Sequence, residues 1–193
     1  MPASAPLAVT LFPTDLGWMG LAARGERLVR GTFGHPSGAA ALAHLSLEDA
    51  AVVERGDLSV WFAQLADRLA GYATGEVVSF DDVPLDLSHL TPFGQRVVRA
   101  CRKIGRGKTR TYGDLAAAVG SPGASRAVGS VMAKNRLPIV IPCHRVVGSA
   151  GSLGGFSAPE GLSMKRRMLA LEGTVVGVNR PSARSPLVPF AAW

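Results

Sequence analysis

The stretch LPIVIPCHRVVG, residues 137–148, places a thiol, an imidazole and a guanidinium in succession inside an apolar run. Thiolate is the reactive form of cysteine, and a neighbouring histidine or cation lowers the pKa of the thiol. Cys143 followed by His144 and Arg145 therefore has the composition of a nucleophile set beside its base. A buried structural cysteine accounts for the same residues, and this stretch alone leaves the two readings open. The other cysteine, Cys101, recurs with Val97, Val98 and Ile104 at helical spacing and reads as a small core residue. His35, His44, His89 and His144 are far apart, with no CxxC or HxxxH spacing, so no metal site is expected. GSAGSLGG, residues 148–155, lacks the GxGxxG register, and neither a Walker loop nor a GxSxG elbow occurs.

Several elements must position these groups. Leu7–Phe12, Gly17–Ala22 and Arg27–Phe33 read as strands, with Gly25-Glu26 as a hairpin turn. HPSGAAALAHL reads as a helix. So does DLSVWFAQLADRLAGYATG, where Leu58, Trp61, Phe62, Leu65 and Leu69 recur at helical spacing until Gly71 or Gly75 stops the run. EVVSFDDVPLDL returns to strand or extended chain, and LSHLTP is a linker. This gives an α+β unit over residues 1–88 and a mainly helical unit over 89–173, followed by a Pro-punctuated tail, 174–193. In the second unit Phe93–Ile104 is one helix. Thr111 and Asp114 form a capping box before a helix at Tyr112–Val119. After a turn at 120–123, Ala124–Lys134 is the next helix and Leu162–Glu172 the last. The pair flanking the turn has helix-turn-helix spacing. Ala124, Ala127 and Gly129 would let the second helix approach another surface closely, and an ordinary tight helix–helix contact uses small residues equally well.

The formal net charge of +7 over 193 residues conceals a split. Residues 1–88 hold 5 Lys/Arg and 11 Asp/Glu (−6), and residues 89–193 hold 16 and 3 (+13), which restores +7. The basic half suits a polyanion, nucleic acid first, although a solvated basic face has the same composition. Nearly half of the residues are hydrophobic, which excludes a disordered chain, and no apolar run reaches the ~20 residues of a membrane span. Two cysteines do not make a disulfide scaffold, and the N-terminus carries no basic residue before its apolar part. Both features point to a reducing, cytoplasmic setting.

Ile141-Pro-Cys-His-Arg-Val146 resembles the active-site signature of the O6-alkylguanine-DNA alkyltransferases, the methylated-DNA–protein-cysteine methyltransferases. The likeness extends over about residues 91–173. TYGDLA precedes ASRAVGSVMAKNRLPIVIPCHRVVG, and Gly155-Phe-Ser and KRRMLALEG follow, in the family's order. The resemblance implies direct, single-use reversal of DNA alkylation. A flipped O6-alkylguanine would give its alkyl group irreversibly to Cys143. His144 would act through a water as the base, Glu172 would orient His144, and Asn135 would fix the turn that presents the thiol. Tyr112 would donate a hydrogen bond to the departing guanine. Met132, Pro138 and Phe156 would form apolar walls, and backbone at Cys143, Val146 and Ser157 would read the guanine edge. Arg126 would fill the vacated base stack. Ala124, Ser125, Ala127 and Gly129 would lie in the minor groove, with Lys134, Arg136 and the Arg/Lys cluster from 96 to 110 on phosphates. The implied fold is a ribonuclease-H-like α/β unit followed by a winged helix-turn-helix. The implied partner is duplex DNA carrying O6-alkylguanine, read without regard to sequence by a monomer that needs no cofactor and no membrane.

The chain departs from the family pattern in three places. Residues 156–165 run about two residues longer than usual between the aromatic and the lysine. Val98 and Gly94 stand where many relatives have Trp and Gln. The N-terminal unit lacks the cysteines through which some relatives bind zinc. Two rivals are a damage sensor that binds but does not repair, against which Cys143 argues, and a cysteine hydrolase, against which the basic half and Arg126 argue.

Overall fold

A computed structural model of the chain describes residues 6–47, 51–53, 57–149 and 152–174. Except for Thr174, the tail lies outside them.

Strands β1 (Leu7–Phe12), β2 (Trp18–Arg24) and β3 (Arg27–His35) form an antiparallel meander. The short β4 (Ala51–Val52) pairs parallel to β1, giving the order β3-β2-β1-β4. Gly25 and Glu26 are the two-residue loop joining β2 to β3. Gly25 has φ +56°, a conformation that glycine adopts without steric cost. Alternation along each strand divides the sheet's faces. Val9 and Ala22 pack with Leu45 of α1 (Gly38–Leu45), while Leu21, Ala23 and Leu28 join the main core. That core also receives Phe62, Leu65, Leu69 and Tyr72 of α2 (Val60–Ala73). Each buried Leu there contributes roughly 1.5–3 kcal/mol relative to exposure. Of the two glycines that could stop α2, Gly71 lies inside the helix and Gly75, with φ +96°, follows its end.

The segment EVVSFDDVPLDL forms no strand of its own. Leu85 makes a single parallel bridge to Leu28, with Leu28 N and Asp86 N completing the backbone bonds. Its Pro and paired aspartates oppose a continuous ladder.

Helix α3 (Pro92–Arg102) starts at Thr91, whose hydroxyl accepts from Gly94 N at 3.1 Å, with Pro92 in the first turn. β5 (Arg110–Thr111) leads into α4 (Tyr112–Ala118). The capping box is complete there: Asp114 N donates to Thr111 Oγ1 at 3.0 Å, and Thr111 N to Asp114 Oδ2 at 2.9 Å. α5 (Ser125–Ala133) follows. Cys143–Arg145 is a single 3-10 turn, and β6 (Val146–Val147) behind it pairs parallel with β5. α6 (Leu162–Leu171) ends in a Schellman motif, in which Thr174 N bonds Leu169 O and Gly173 N bonds Ala170 O, with Gly173 at φ +75°. This motif puts Glu172 at the helix cap. The main core runs without a break from Phe12 of β1 to Met168 of α6, so both halves of the chain share it. Among the described residues no helix is long and apolar enough to cross a membrane.

Candidate active site

Residues 135–143 carry the thiol on a tightly tied loop. Leu137 N donates to Asn135 Oδ1 at 3.0 Å, and Asn135 Nδ2 donates to Ile141 O at 3.0 Å and to Cys143 Sγ at 3.2 Å. Ile141 N closes the turn on Leu137 O at 2.8 Å. Inside that turn Ile139 is held at φ +72°, a costly conformation for a β-branched residue. The Asn135 clamp and the burial of Leu137, Ile139 and Ile141 hold it in place.

Cys143 is buried but opens on a cavity of about 500 Å³. Tyr112, Met132, Asn135, Pro138, Phe156 and Ser157 line that cavity with it, and Gly129 contributes from α5. The other wall comes from the first half of the chain, through Gly31, Thr32 and Phe33 of β3 and His44 of α1. The longer loop after Phe156 closes the third side. Ser157 Oγ donates to Ala133 O at 3.1 Å, and Pro159 packs toward Gly34 of β3. Val146 is not on the lining. It is fully buried, and its carbonyl accepts from Lys165 Nζ at 2.6 Å.

Burial pushes the Cys143 thiol up, against the Asn135 hydrogen bond and the Lys165 charge, which act to lower it. The resting side chain is therefore a thiol rather than a thiolate. His144 is fully buried, and its Nε2 lies 2.8 Å from Glu172 Oε1. Burial holds its imidazole below the usual histidine range, although Glu172 acts to raise it. Glu172 is ionised. Burial works to raise its carboxyl, but hydrogen bonds from His144 and Arg145, together with their charge, hold it well below the usual carboxylate range. Nε2 must then carry the imidazole hydrogen. Nδ1 is left as the acceptor, and this buried atom has no hydrogen-bond partner among the described residues.

Glu172 has partners that the sequence did not reveal. Arg145 grips it twice, from Nε to Oε2 and from Nη2 to Oε1, both at 2.9 Å, and Gly107 N reaches Oε2 at 3.4 Å. Tyr72, from the other half of the chain, donates to Oε1 at 2.9 Å. The contacts of Lys165 were also missed. Its Nζ is buried on the carbonyls of Val146 and Leu153, and burial lowers its pKa to about 8. Of these residues the sequence pointed only to Arg145, two positions after the cysteine, and to Lys165 as part of KRRMLALEG, without a contact for either.

Tyr112 stands on the cavity wall half-buried. Burial and the nearby Cys143 raise its pKa, so it keeps its proton and can donate it. Gly154, at φ +68°, lets the backbone pass against the ring, since a Cβ there would meet Tyr112 Cε2 and Oη at 2.9 Å. On α5, Arg126 and Ala127 are exposed, Ser125 and Gly129 are half-buried, Ala124 caps the helix, and Lys134 is exposed at its end. The basic cluster from 96 to 110 does not all face solvent. Arg102 donates to the carbonyls of Phe80, Asp81 and Val83, and Arg106 to those of Gly75, Glu76 and Leu171. These two hold backbone together and are not free for phosphates. Among the described residues no three His, Cys, Asp or Glu side chains cluster as metal ligands.

A family model described as the DNA-binding domain of 6-O-methylguanine DNA methyltransferase matches residues 92–174. A methylated-DNA–protein-cysteine methyltransferase of Methanosarcina acetivorans is 42% identical over 114 residues, 59% of this chain and 70% of the relative. The chain belongs to the methylated-DNA–protein-cysteine methyltransferase family. The protein of that name from Mycolicibacterium paratuberculosis is 45% identical over 111 residues, and the match covers 58% of this chain and 65% of the relative's length. In three dimensions the likeness to family members extends further. The crystal structure of Mycobacterium tuberculosis OGT in complex with DNA matches with a TM-score of 0.71 and 34% identity, over 86% of this chain and 93% of that one. The O6-methylguanine-DNA methyltransferase of Pyrococcus kodakaraensis matches with a TM-score of 0.66 and 25% identity, over 87% and 99%. The N-terminal half, which lies outside the sequence likeness over about residues 91–173, thus falls largely within the structural likeness.

Proposed function

We propose that this protein reverses DNA alkylation directly, taking the O6-alkyl group of a flipped-out guanine onto Cys143 in a single irreversible turnover. One observation carries the reading. Cys143 opens on a cavity large enough for a base and bonds Asn135, while the adjacent His144 has its Nε2 committed to an ionised Glu172 and its Nδ1 free to accept. In the reaction the thiol proton passes through a water to His144 Nδ1. Sulfur attacks the alkyl carbon in line, the S–C bond forms and the O6–C bond breaks. The purine leaves with the bonding pair and takes up a proton, with Tyr112 donating a hydrogen bond to it. His144 returns its proton to solvent, so charge and atoms balance. No step regenerates the thiol, so each molecule reacts once.

The same reading divides the chain into a ribonuclease-H-like unit, residues 1–88, and a winged helix-turn-helix unit, 89–173, with α4 and α5 as the helix pair and β5 and β6 beside them. Exposed Arg126 fills the gap left by the flipped base. Ala124, Ser125, Ala127 and Gly129 let α5 lie in the minor groove without reading sequence, and Lys134 meets a phosphate. Met132, Pro138 and Phe156 hold the alkylated base, and backbone at Cys143 and Ser157 reads its edge, while Val146, off the lining with its carbonyl held by Lys165, takes no part in that readout. The protein acts as a monomer on duplex DNA in the cytoplasm. Mass spectrometry after incubation with an O6-methylguanine duplex tests this. Transfer adds one methylene mass, located on Cys143. Binding without a mass change would indicate a damage sensor, and no binding at all would favour a hydrolase.

A further inference from the structure

Tyr72 is the first half's direct contribution to the His144–Glu172 pair. It sits in the last turn of α2, 1% exposed, with its ring edge-on to Phe80 at 6.2 Å and the Arg106 guanidinium 5.9 Å above it. Its oxygen is 2.9 Å from Glu172 Oε1 and 3.2 Å from His144 Nε2. A phenol has one proton, and the ionised carboxylate is the strongest acceptor in reach. The Tyr72 O–H and the His144 Nε2–H therefore converge on the same carboxylate oxygen.

We propose that Tyr72 is a positioning residue for the alkyl transfer: its hydrogen bond to Glu172 tempers that carboxylate and so keeps His144 free to act as the base. This inference rests on the role given to His144 above. The groups facing His144 are Tyr72 from α2, Glu172 and Lys165 from α6, Arg145 from its own turn and the neighbouring Cys143 thiol, with Arg106 behind the Tyr72 ring. Glu172 is the carboxylate bonded to His144 within this set and Arg145, Lys165 and Arg106 are cations, so the charge that Glu172 presents decides how readily His144 becomes an imidazolium. A donor held on Oε1 weakens that charge as His144 feels it. A phenylalanine would pack in the same space but could not do this.

The test follows single-turnover methyl transfer from an O6-methylguanine duplex to the full chain between about pH 5 and pH 9. It compares the wild type, Tyr72→Phe and a protein carrying 3-fluorotyrosine at position 72, whose more acidic phenol is the stronger donor. Loss of one charge-assisted bond moves the acid limb of the Tyr72→Phe profile up by about one pH unit. The rate then falls by up to about tenfold at pH values below the wild-type limb, with little change on the alkaline plateau. Fluorotyrosine moves the limb down. Nitrogen NMR of the His144 imidazole shows the same two displacements without any transfer. A purely structural role lowers the rate by one factor at every pH and displaces neither titration. An unmoved limb, or a limb moved the same way by both changes, overturns the proposal. If Tyr72→Phe does not fold, the near-isosteric fluorotyrosine protein decides alone, and an unmoved or raised limb refutes. A wild type that leaves Cys143 unmethylated defeats the functional reading, whereas a wild type that transfers with unmoved limbs defeats only the role of Tyr72.

Discussion

Glu172→Gln is the most informative single change. Three donors converge on Oε1, from Tyr72, His144 and Arg145, and two more on Oε2, from Arg145 and Gly107. An amide has one acceptor oxygen and no charge, so its NH2 group must face at least one donor. Arg145, buried save for 12% of its side chain, also loses its counterion. Breaking a buried pair from one side costs about 3–5 kcal/mol. For a chain of this length that lowers the melting temperature by on the order of 10 °C. The effect has a defined pH dependence. The folded-state pKa of Glu172 is depressed below its ordinary value, so its contribution is fully present above the unfolded pKa and is lost as pH falls through the folded one. The stability gap between wild type and variant, read by urea denaturation, should be constant from pH 8 to about pH 5 and close as the acid is strengthened further. Transfer should suffer as well. The Gln amide can donate to Nε2, which moves the imidazole hydrogen to Nδ1 and removes the base, for a loss of about 100-fold or more. A gap that stays constant down to about pH 2, or a variant that transfers at the wild-type rate, would refute this reasoning.

Arg126→Ala should weaken repair of duplex DNA with little loss toward free O6-benzylguanine, and equal loss on both substrates would refute the finger role. Gly154→Ala forces an L side chain to φ +68° and drives its Cβ against Tyr112, so melting should show a cost of about 1–3 kcal/mol and transfer should slow; an unaltered rate would mean that Tyr112 need not stay in place. Iodoacetamide should label Cys143 and spare Cys101, which is fully buried, and peptide mapping of the folded protein checks this. Because burial raises the Cys143 thiol above its ordinary pKa, labelling should be slow at neutral pH and accelerate well into the alkaline range, and fast labelling near pH 6 would mean a resting thiolate.

Local rules made much of the fold legible. Short β-forming runs broken by turns marked β1 to β3, helical spacing marked α2 and α3, and Thr111 with Asp114 marked the start of α4, because each of these signals lies within a few residues of chain. EVVSFDDVPLDL, which reads as strand or extended chain, stays open for the complementary reason. Its residues suit a strand, but whether a strand forms depends on a pairing edge elsewhere, and only Leu85 finds one. Glu172 shows the same division at the site. The sequence placed it at the end of α6, and only the structure shows the Schellman motif and the Arg145 clamp that hold an acid at a helix end whose dipole disfavours one.

By itself the sequence marked Cys143 and His144 as a candidate nucleophile and base, the order of motifs around them and the charge of the half that carries them, since residue type and motif order are written in the chain itself. The tertiary structure alone decided that β3 and α1 wall the cavity, that the longer loop after Phe156 closes on Gly34, that Arg102 and Arg106 brace backbone, and that Tyr72 reaches Glu172 from 100 residues away. These contacts arise from packing two halves of the chain around one shared core, and no local spacing records which side chains that packing brings face to face.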